Sequence, residues 1–302
     1  MSLGKVRLSI LFLIIANIIW GAAFPIYKWT LEVLPPFTFA FLRFYLGALI
    51  IFPFVYKYLN IKKQDIPNLI LLSLVSVTFL IPLLFLGLKL SPSINAPIII
   101  SSGPIILIIA SIIFLREKVT GKLILGTFIS LAGILAIILR PLLDSGFSGS
   151  ILGNLFIFLA TACGVLQALI LKKLTVNNDP RTITFWMFFL GALPLLPFVF
   201  KESQTFSISD LNNQAIIGLV YAVILATALA HFLLVYGIKY IKASEVGIFS
   251  YVDPIATIVV AVPLLHETIT GTYILGAVLV FLGIFIAEGR LHYHPLGKLF
   301  SS

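Results

Sequence analysis

Residues 103–133 read GPIILIIASIIFLREKVTGKLILGTFISLAG, and residues 253–283 read DPIATIVVAVPLLHETITGTYILGAVLVFLG. Laid over one another at an offset of 150, they match Pro104 with Pro254, Glu117 with Glu267, Thr120 with Thr270 and Gly121 with Gly271. Gly126 then matches Gly276, and Gly133 matches Gly283. Upstream, Gly87 with Gly237 and Lys89 with Lys239 keep the same register without a gap. Earlier still the offset drifts, with Gly21 on Gly164 at 143 and Phe41 on Phe185 at 144. The chain is one unit written twice, and the spacing predicts a first copy over 1–145 and a second over 146–302.

The repeated unit is too apolar to fold in water. Of 302 residues, 60% are hydrophobic and 10% charged, against about 45–50% and about 25% in soluble domains, and the mean hydropathy is +1.16. Hydrocarbon as solvent resolves this, each spanning helix needing roughly 20 apolar residues to cross about 30 Å. Apolar runs fall at 8–28, 35–56, 66–88, 93–115, 121–140, 150–171, 181–200, 214–238, 244–265 and 271–288. Turn and charge signals such as Leu34-Pro35-Pro36, Lys62-Lys63-Gln64-Asp65, Ser91-Pro92-Ser93 and Asn177-Asn178-Asp179-Pro180 separate them. The fold class expected is therefore an all-α integral membrane protein with ten transmembrane helices. The first run follows Lys5 and Arg7 as a signal peptide would, but it is long and has no small-x-small cleavage site, so it reads as the first span.

With the N-terminus in the cytoplasm, 15 of the 20 basic residues fall inside; Lys28, Lys89, Arg140 and Lys201 fall outside, and Arg43 lies within a span. That split satisfies the positive-inside rule. It predicts a multi-pass protein of the cytoplasmic (inner) membrane with both termini cytoplasmic. Since five spans is an odd number, the second copy must enter the bilayer upside down. Two inverted five-helix repeats are the architecture of many secondary transporters, whose substrates bind near the midplane between repeats.

The matched residues have structural readings. Gly126 and Gly133, with Gly276 and Gly283, lie seven apart on one helix face, where small residues let backbones approach. Thr120 and Thr270 stand where helix N-caps belong, Glu117 and Glu267 read as caps or interfacial ion pairs, and Pro104 and Pro254 should break helices four and nine near mid-depth.

The pattern Gly/Asp-Pro-x12-Glu-x2-Thr-Gly-x4-Gly-x6-Gly in both halves, with Trp20-Gly21-x2-Phe24 in the first helix, resembles the EamA repeat of the drug/metabolite transporter superfamily. The resemblance spans nearly the whole chain. It implies the ten-helix inverted-repeat fold, cytoplasmic termini, and export of amino acids or similar small metabolites through a central cavity. The second half departs from it, with Cys163-Gly164 where the first has Trp20-Gly21.

Charges within spans cost about 2.5–3.5 kcal/mol on insertion scales and are functional candidates by default. Arg43, His231 and Asp253 are the three, and their repeat partners are Met187, Ile81 and Gly103, so none recurs. His231 and Asp253 are equidistant from the turn between helices eight and nine, at similar depth, where a His–Asp pair forms if their faces match. Asp253 reads either as a binder of a substrate ammonium or carrier of a coupled proton, or as an Asp-Pro cap of a broken helix. Arg43 either snorkels outward or joins a structural pair, or binds a substrate carboxylate through its bidentate fork. Neutral candidates for the cavity are Asn17, Trp20, Thr78, Asn95, Ser101, Ser102, Gln167, Trp186 and Tyr251, with Tyr221, Tyr236 and Ser250 behind them.

Other chemistry finds no support. There is no Walker A loop, no Gly-x-Ser-x-Gly elbow, and His266-Glu267 runs on into Thr268-Ile269-Thr270 rather than a zincin motif. The single cysteine, Cys163, excludes a disulfide framework. No cofactor, metal or nucleic-acid partner is expected, and the partners are a small-molecule substrate and the lipid bilayer, for a monomer or homodimer. Within the superfamily a sugar-phosphate or nucleotide-sugar exchanger would want several cavity Lys and Arg, and a multidrug exporter would want aromatics around one acid. Outside it stand a channel and an intramembrane enzyme.

Overall fold

A computed structural model describes residues 3–103, 105–106, 121–145, 149–175, 177–238, 249–250 and 252–288. Among them every regular element is helical. We number the helices α1 (Leu3–Thr30), α2 (Pro36–Val55), α3 (Ile66–Ser73, Leu74–Phe79 and Leu80–Leu90 in series) and α4 (Asn95–Ile100). Then come α5 (Gly121–Ser145), α6 (Gly149–Leu174), α7 (Pro180–Ala192, Leu193–Leu195 and Leu196–Glu202) and α8 (Asn213–Val220, Tyr221–Leu229 and Ala230–Ile238). The last are α9 (Val252–Leu265) and α10 (Gly271–Glu288). Six stretches, in α1, α2, α3, α6, α7 and α8, are long and apolar enough to cross a bilayer, and Ile124–Leu139, Val252–Leu265 and Gly271–Ile286 are shorter apolar helices. The exposed apolar side chains, among them Phe54, Phe128, Phe200, Phe232 and Val259, form the surface that lipid covers.

The inversion of the two copies is visible at the seam of α5 and α10. A Cβ added to Gly283 would lie 2.5 Å from the carbonyl oxygen of Gly126, and one on Gly133 would lie 2.6 Å from that of Gly276. The earlier glycine of each helix meets the later glycine of the other, so equivalent helices run antiparallel. The remaining contacts exchange in the same way. Helix α1 packs on α8 and α9 as α6 packs on α3 and α4, and α2 packs on α8 as α7 packs on α3. An added Cβ on Gly47 of α2 would lie 3.0 Å from Thr227 of α8, and one on Gly191 of α7 would lie 2.6 Å from Val77 of α3. Even the irregularities correspond, since α3 and α8 each contain π-helical turns, at Leu74–Phe79 and Tyr221–Leu229. Such turns carry an extra residue and re-aim the side chains around them.

Loop contacts sort the helix ends into two layers. In one, Glu202 at the end of α7 accepts hydrogen bonds from the backbone N–H groups of Phe37 (3.1 Å) and Thr38 (2.7 Å) at the start of α2. Gln214 at the start of α8 donates to Trp29 O (2.6 Å) and Glu32 (2.8 Å) after α1. In the same layer Glu267 pairs with Lys28 Nζ at 2.9 Å and accepts from Ser93 N (2.6 Å), Ser93 Oγ (3.1 Å) and Ile94 N (3.0 Å). The carboxylate thus does both things the sequence suggested, ion pair and cap, but the helix it caps is α4. His266 is bent into the left-handed region at φ 52° just before it, a conformation uncommon outside glycine that turns the chain towards α4. In the opposite layer Asn178 donates to buried Asp65 (2.8 Å) and accepts from Lys62 N (3.2 Å), and Trp186 donates to Leu59 O (3.0 Å). Each of these ties joins helix ends that ten alternating crossings put on the same side.

The proline expectation is sharpened. Pro254 does not kink a longer described helix: it stands in the first turn of α9, which starts at Val252, where its missing N–H costs nothing. In the first copy the chain breaks into a turn at the equivalent point, Ser101–Ser102, after α4. Pro104, Glu117 and Thr120 lie outside the described residues, whereas Thr270 caps α10 as expected, accepting from Tyr273 N at 3.3 Å.

Candidate functional site

The site is built on the middle of α1. Gly21 lacks a side chain, so the backbone of α9 comes against it: an added Cβ would lie 2.5 Å from Asp253 O and 2.9 Å from Asp253 Cα. The Thr257 hydroxyl is 2.7 Å from Gly21 O and 2.8 Å from Asp253 O, pinning that approach. The residue before it, Trp20, faces α8 instead. Its indole N–H donates to Ala226 O at 2.9 Å and its ring meets His231 edge-on at 5.4 Å. Tyr221, also on α8, donates to Ile19 O at 2.7 Å. Three consecutive residues of α1 are thereby fixed to the π-helical region of α8 and the first turn of α9.

Seven residues after Trp20, on the same helical face, Tyr27 lies 4.7 Å beneath the Arg43 guanidinium. Arg43 reaches in from α2, donating from Nε to Thr227 Oγ1 at 3.1 Å with its Cζ 4.9 Å from the Phe44 ring. Phe188 of α7 closes the group, edge-on to Phe44 at 5.0 Å and to His231 at 5.7 Å. Helices α1, α2, α7 and α8 so converge on a guanidinium, an imidazole and a phenol within aromatic walls.

The group is charged and short of partners. Arg43 is only 6% exposed, so it does not snorkel. Among the described residues the ion pairs are Lys28–Glu267 and Arg181–Asp179, and neither involves Arg43, His231 or Asp253. Among the described residues, the buried atoms Tyr27 Oη, His231 Nδ1 and Asp253 Oδ1 make no hydrogen bond. The His–Asp pair that equal depth allowed is not made: His231 turns to Trp20 and Phe188, while Asp253 sits behind Gly21. Nor does the unpartnered Asp253 carboxylate oxygen cap α9.

The other sequence candidates are distributed elsewhere. Asn17 donates back to Leu13 O on its own helix (2.7 Å), and Thr78 joins α3 to α7 through Gly191 O (2.8 Å). Asn95 joins α4 to α6 through Asn154 (3.0 Å). Ser101 and Ser102 are buried and bond the carbonyls of Pro97 and Ile99 at the helix break. Trp186 belongs to the layer with Leu59, Gln167 is half-buried on α6, and Tyr251 lies outside the described residues. The sequence reading missed Tyr27, Phe188 and Thr227. Tyr27 shares a face with Trp20 and Thr227 stands four before His231, which are usable signals; Phe188 carries none.

Comparison with known proteins identifies the family. The model of the EamA-like transporter family matches residues 7–139 and again 151–288. The chain belongs to that family and is a multi-pass membrane transporter. An uncharacterized transporter of Archaeoglobus fulgidus is 25% identical over 289 residues, covering 93% of this chain and 98% of its own. The uncharacterized transporter YdfC of Bacillus subtilis is 29% identical over 288 residues, covering 93% and 90%. A solved crystal structure superposes with a TM-score of 0.63 at 15% identity, over 96% of this chain and 98% of that one, which speaks to the fold alone.

Proposed function

We propose that this transporter exports amino acids or closely related small metabolites across the cytoplasmic membrane by alternating access, its halves 1–145 and 146–302 rocking about the group on α1 with both termini cytoplasmic. The observation that carries the reading is that Arg43 and His231, which have no counterpart in the other copy, are gathered with Trp20 and Tyr27 and, among the described residues, left without ionic partners. Groups demanded only by the fold recur in both copies, as the seam glycines do; groups demanded by a ligand need not. The cross-half ties at both layers, Glu202 to α2, Glu267 to α4 and Asn178 to Asp65, are the contacts that alternate opening would break in turn.

Asp253 is the natural carrier of a coupled proton or the anchor for a substrate ammonium, because its buried Oδ1 is unpartnered beside the tightest helix approach of the site. A multidrug exporter is the second reading, favoured by the aromatic walls of Trp20, Phe44 and Phe188. A sugar-phosphate exchanger fits less well, with one guanidinium in the group. Uptake of labelled amino acids and purine metabolites into proteoliposomes, with and without a pH gradient, tests the reading. Saturable uptake of an amino acid is expected, and uptake of lipophilic cations alone would transfer the case to the second reading. Transport by Asp253→Asn that is unchanged at every pH would remove the coupling role.

A further inference from the structure

We propose that Arg43, Tyr27 and His231 form an anion subsite, and that the ligand's carboxylate docks on the Arg43 fork with its apolar body against Trp20, Phe44 and Phe188. The inference rests on the transporter reading only so far as a small molecule reaches this group.

A guanidinium offers five N–H donors and is always charged. Here one of them, on Nε, is taken by Thr227, and the faces of Tyr27 and Phe44 stack at 4.7 and 4.9 Å. That leaves the terminal fork, the edge that recognises a carboxylate bidentately, without an acidic partner among the described residues. Burying one charge without its partner is strongly destabilising, so a side chain 6% exposed at the centre of a membrane protein calls for a counter-charge from elsewhere. Asp253 does not supply it, because its backbone is held behind Gly21 by Thr257 and it forms no ion pair among the described residues.

Two further buried polar atoms of the group make no hydrogen bond among the described residues. Tyr27 Oη belongs to the ring stacked against the guanidinium, and His231 Nδ1 belongs to the ring held between Trp20 and Phe188. Leaving buried polar atoms unpaired is costly. A carboxylate has some four lone-pair directions, enough to take the fork and the phenol O–H together. The three aromatic rings around these donors then set the side of the ligand that faces them: an apolar body.

The test is binding to the purified full-length chain in nanodiscs, followed by thermal shift and by fluorescence of the tryptophans. The probes are 4-methylvalerate, 3-phenylpropionate and L-phenylalanine, each against its methyl ester, with phenethylamine as the amine without an acid. Binding of at least one acid tenfold or more tighter than its ester is expected. Arg43→Gln should abolish that acid-over-ester ratio, Arg43→Lys should reduce it several-fold by keeping the charge without the fork, and Tyr27→Phe should lower it less. A merely structural Arg43 would lower stability and all affinities together and leave the ratio unmoved. No acid preference in the parent chain, whether both forms bind alike or neither binds, overturns the subsite, as does a ratio that survives Arg43→Gln. Transport of neutral or cationic solutes by a chain that shows no acid preference would leave the transporter reading standing while this one falls.

Discussion

Glu267→Ala should lower the unfolding free energy by about 3–4 kcal/mol, an unusual amount for a single carboxylate in a loop. Its Oε atoms hold two backbone N–H groups at the start of α4, a cap worth about 1 kcal/mol. They also hold the Ser93 hydroxyl, for about 1 kcal/mol more. The ion pair with Lys28 adds to both: exposed pairs give about 0.2–1 kcal/mol and fully buried ones lose about 3–5 kcal/mol when broken. With side-chain exposures of 25% for Lys28 and 8% for Glu267, this pair lies between those limits, at about 1–2 kcal/mol. Glu267→Gln keeps one acceptor oxygen and should cost about half as much. The sharper quantity is the coupling between Glu267→Gln and Lys28→Met in a double-mutant cycle, read from reversible SDS unfolding in mixed micelles, at about 1–2 kcal/mol. As a control, Asp179–Arg181, with side chains 35% and 55% exposed, should couple by no more than about 0.5 kcal/mol. Strict additivity of the Lys28 and Glu267 changes, or a loss under about 0.5 kcal/mol for Glu267→Ala, would refute the account of this cluster.

Gly21→Ala should cost about 1–3 kcal/mol by forcing α1 off α9, whereas Gly164→Ala, whose Cβ would find its nearest neighbour at 3.7 Å, should be close to neutral; thermal unfolding of the two variants compares them directly. Gly283→Ala places a Cβ 2.4 Å from Ser130 N and should loosen the α5–α10 seam by a similar 1–3 kcal/mol, seen as a lower unfolding midpoint. His266→Val puts a β-branched residue at φ 52° and should destabilise by about 1–2 kcal/mol in the same assay, with His266→Gly near neutral. The Arg181 side chain, by hydrogen bonding, holds the Asp179 carboxyl below the usual carboxylate range. Its small stabilisation is thus present above the unfolded-state value of about 3.9 and lost as pH falls through the lower folded value, so the parent should exceed Asp179→Asn in stability above about pH 4 and converge with it as the pH falls further, read by acid titration of the two.

The architecture was legible because it is written in periodic, redundant features. Apolar runs the length of a bilayer and a register that holds over 87–133 against 237–283 leave little room for another fold. Antiparallel crossing of α5 and α10 then follows from an odd number of spans per copy. The site was legible only in its charged members. Arg43, His231 and Asp253 stand out because charge within hydrocarbon is costly, but which helix face each occupies depends on packing that no run of letters encodes. That is why His231 and Asp253, expected at equal depth, do not pair: Trp20 stands against one and Gly21 against the other. Tyr27 and Phe188 were hidden for the opposite reason, since an aromatic residue in an apolar span is ordinary until an arginine is found against its neighbours. Most hydroxyl and amide candidates, Asn17, Thr78, Asn95, Ser101 and Ser102, bond backbone or one another. That is the usual fate of such side chains where no water is at hand.

The glycine seam of α5 and α10 has the character of an isologous interface, one patch meeting its own copy, of the kind that joins identical subunits about a two-fold axis. A contact of that kind needs no covalent connection to find its partner. The polypeptide connection between the halves therefore fixes their stoichiometry more than their mutual recognition. Two fragments, 1–145 and 146–302, made separately in one membrane, should find one another through Gly126, Gly133, Gly276 and Gly283, and each substitution at that seam has a mirror-image twin against which its effect can be checked.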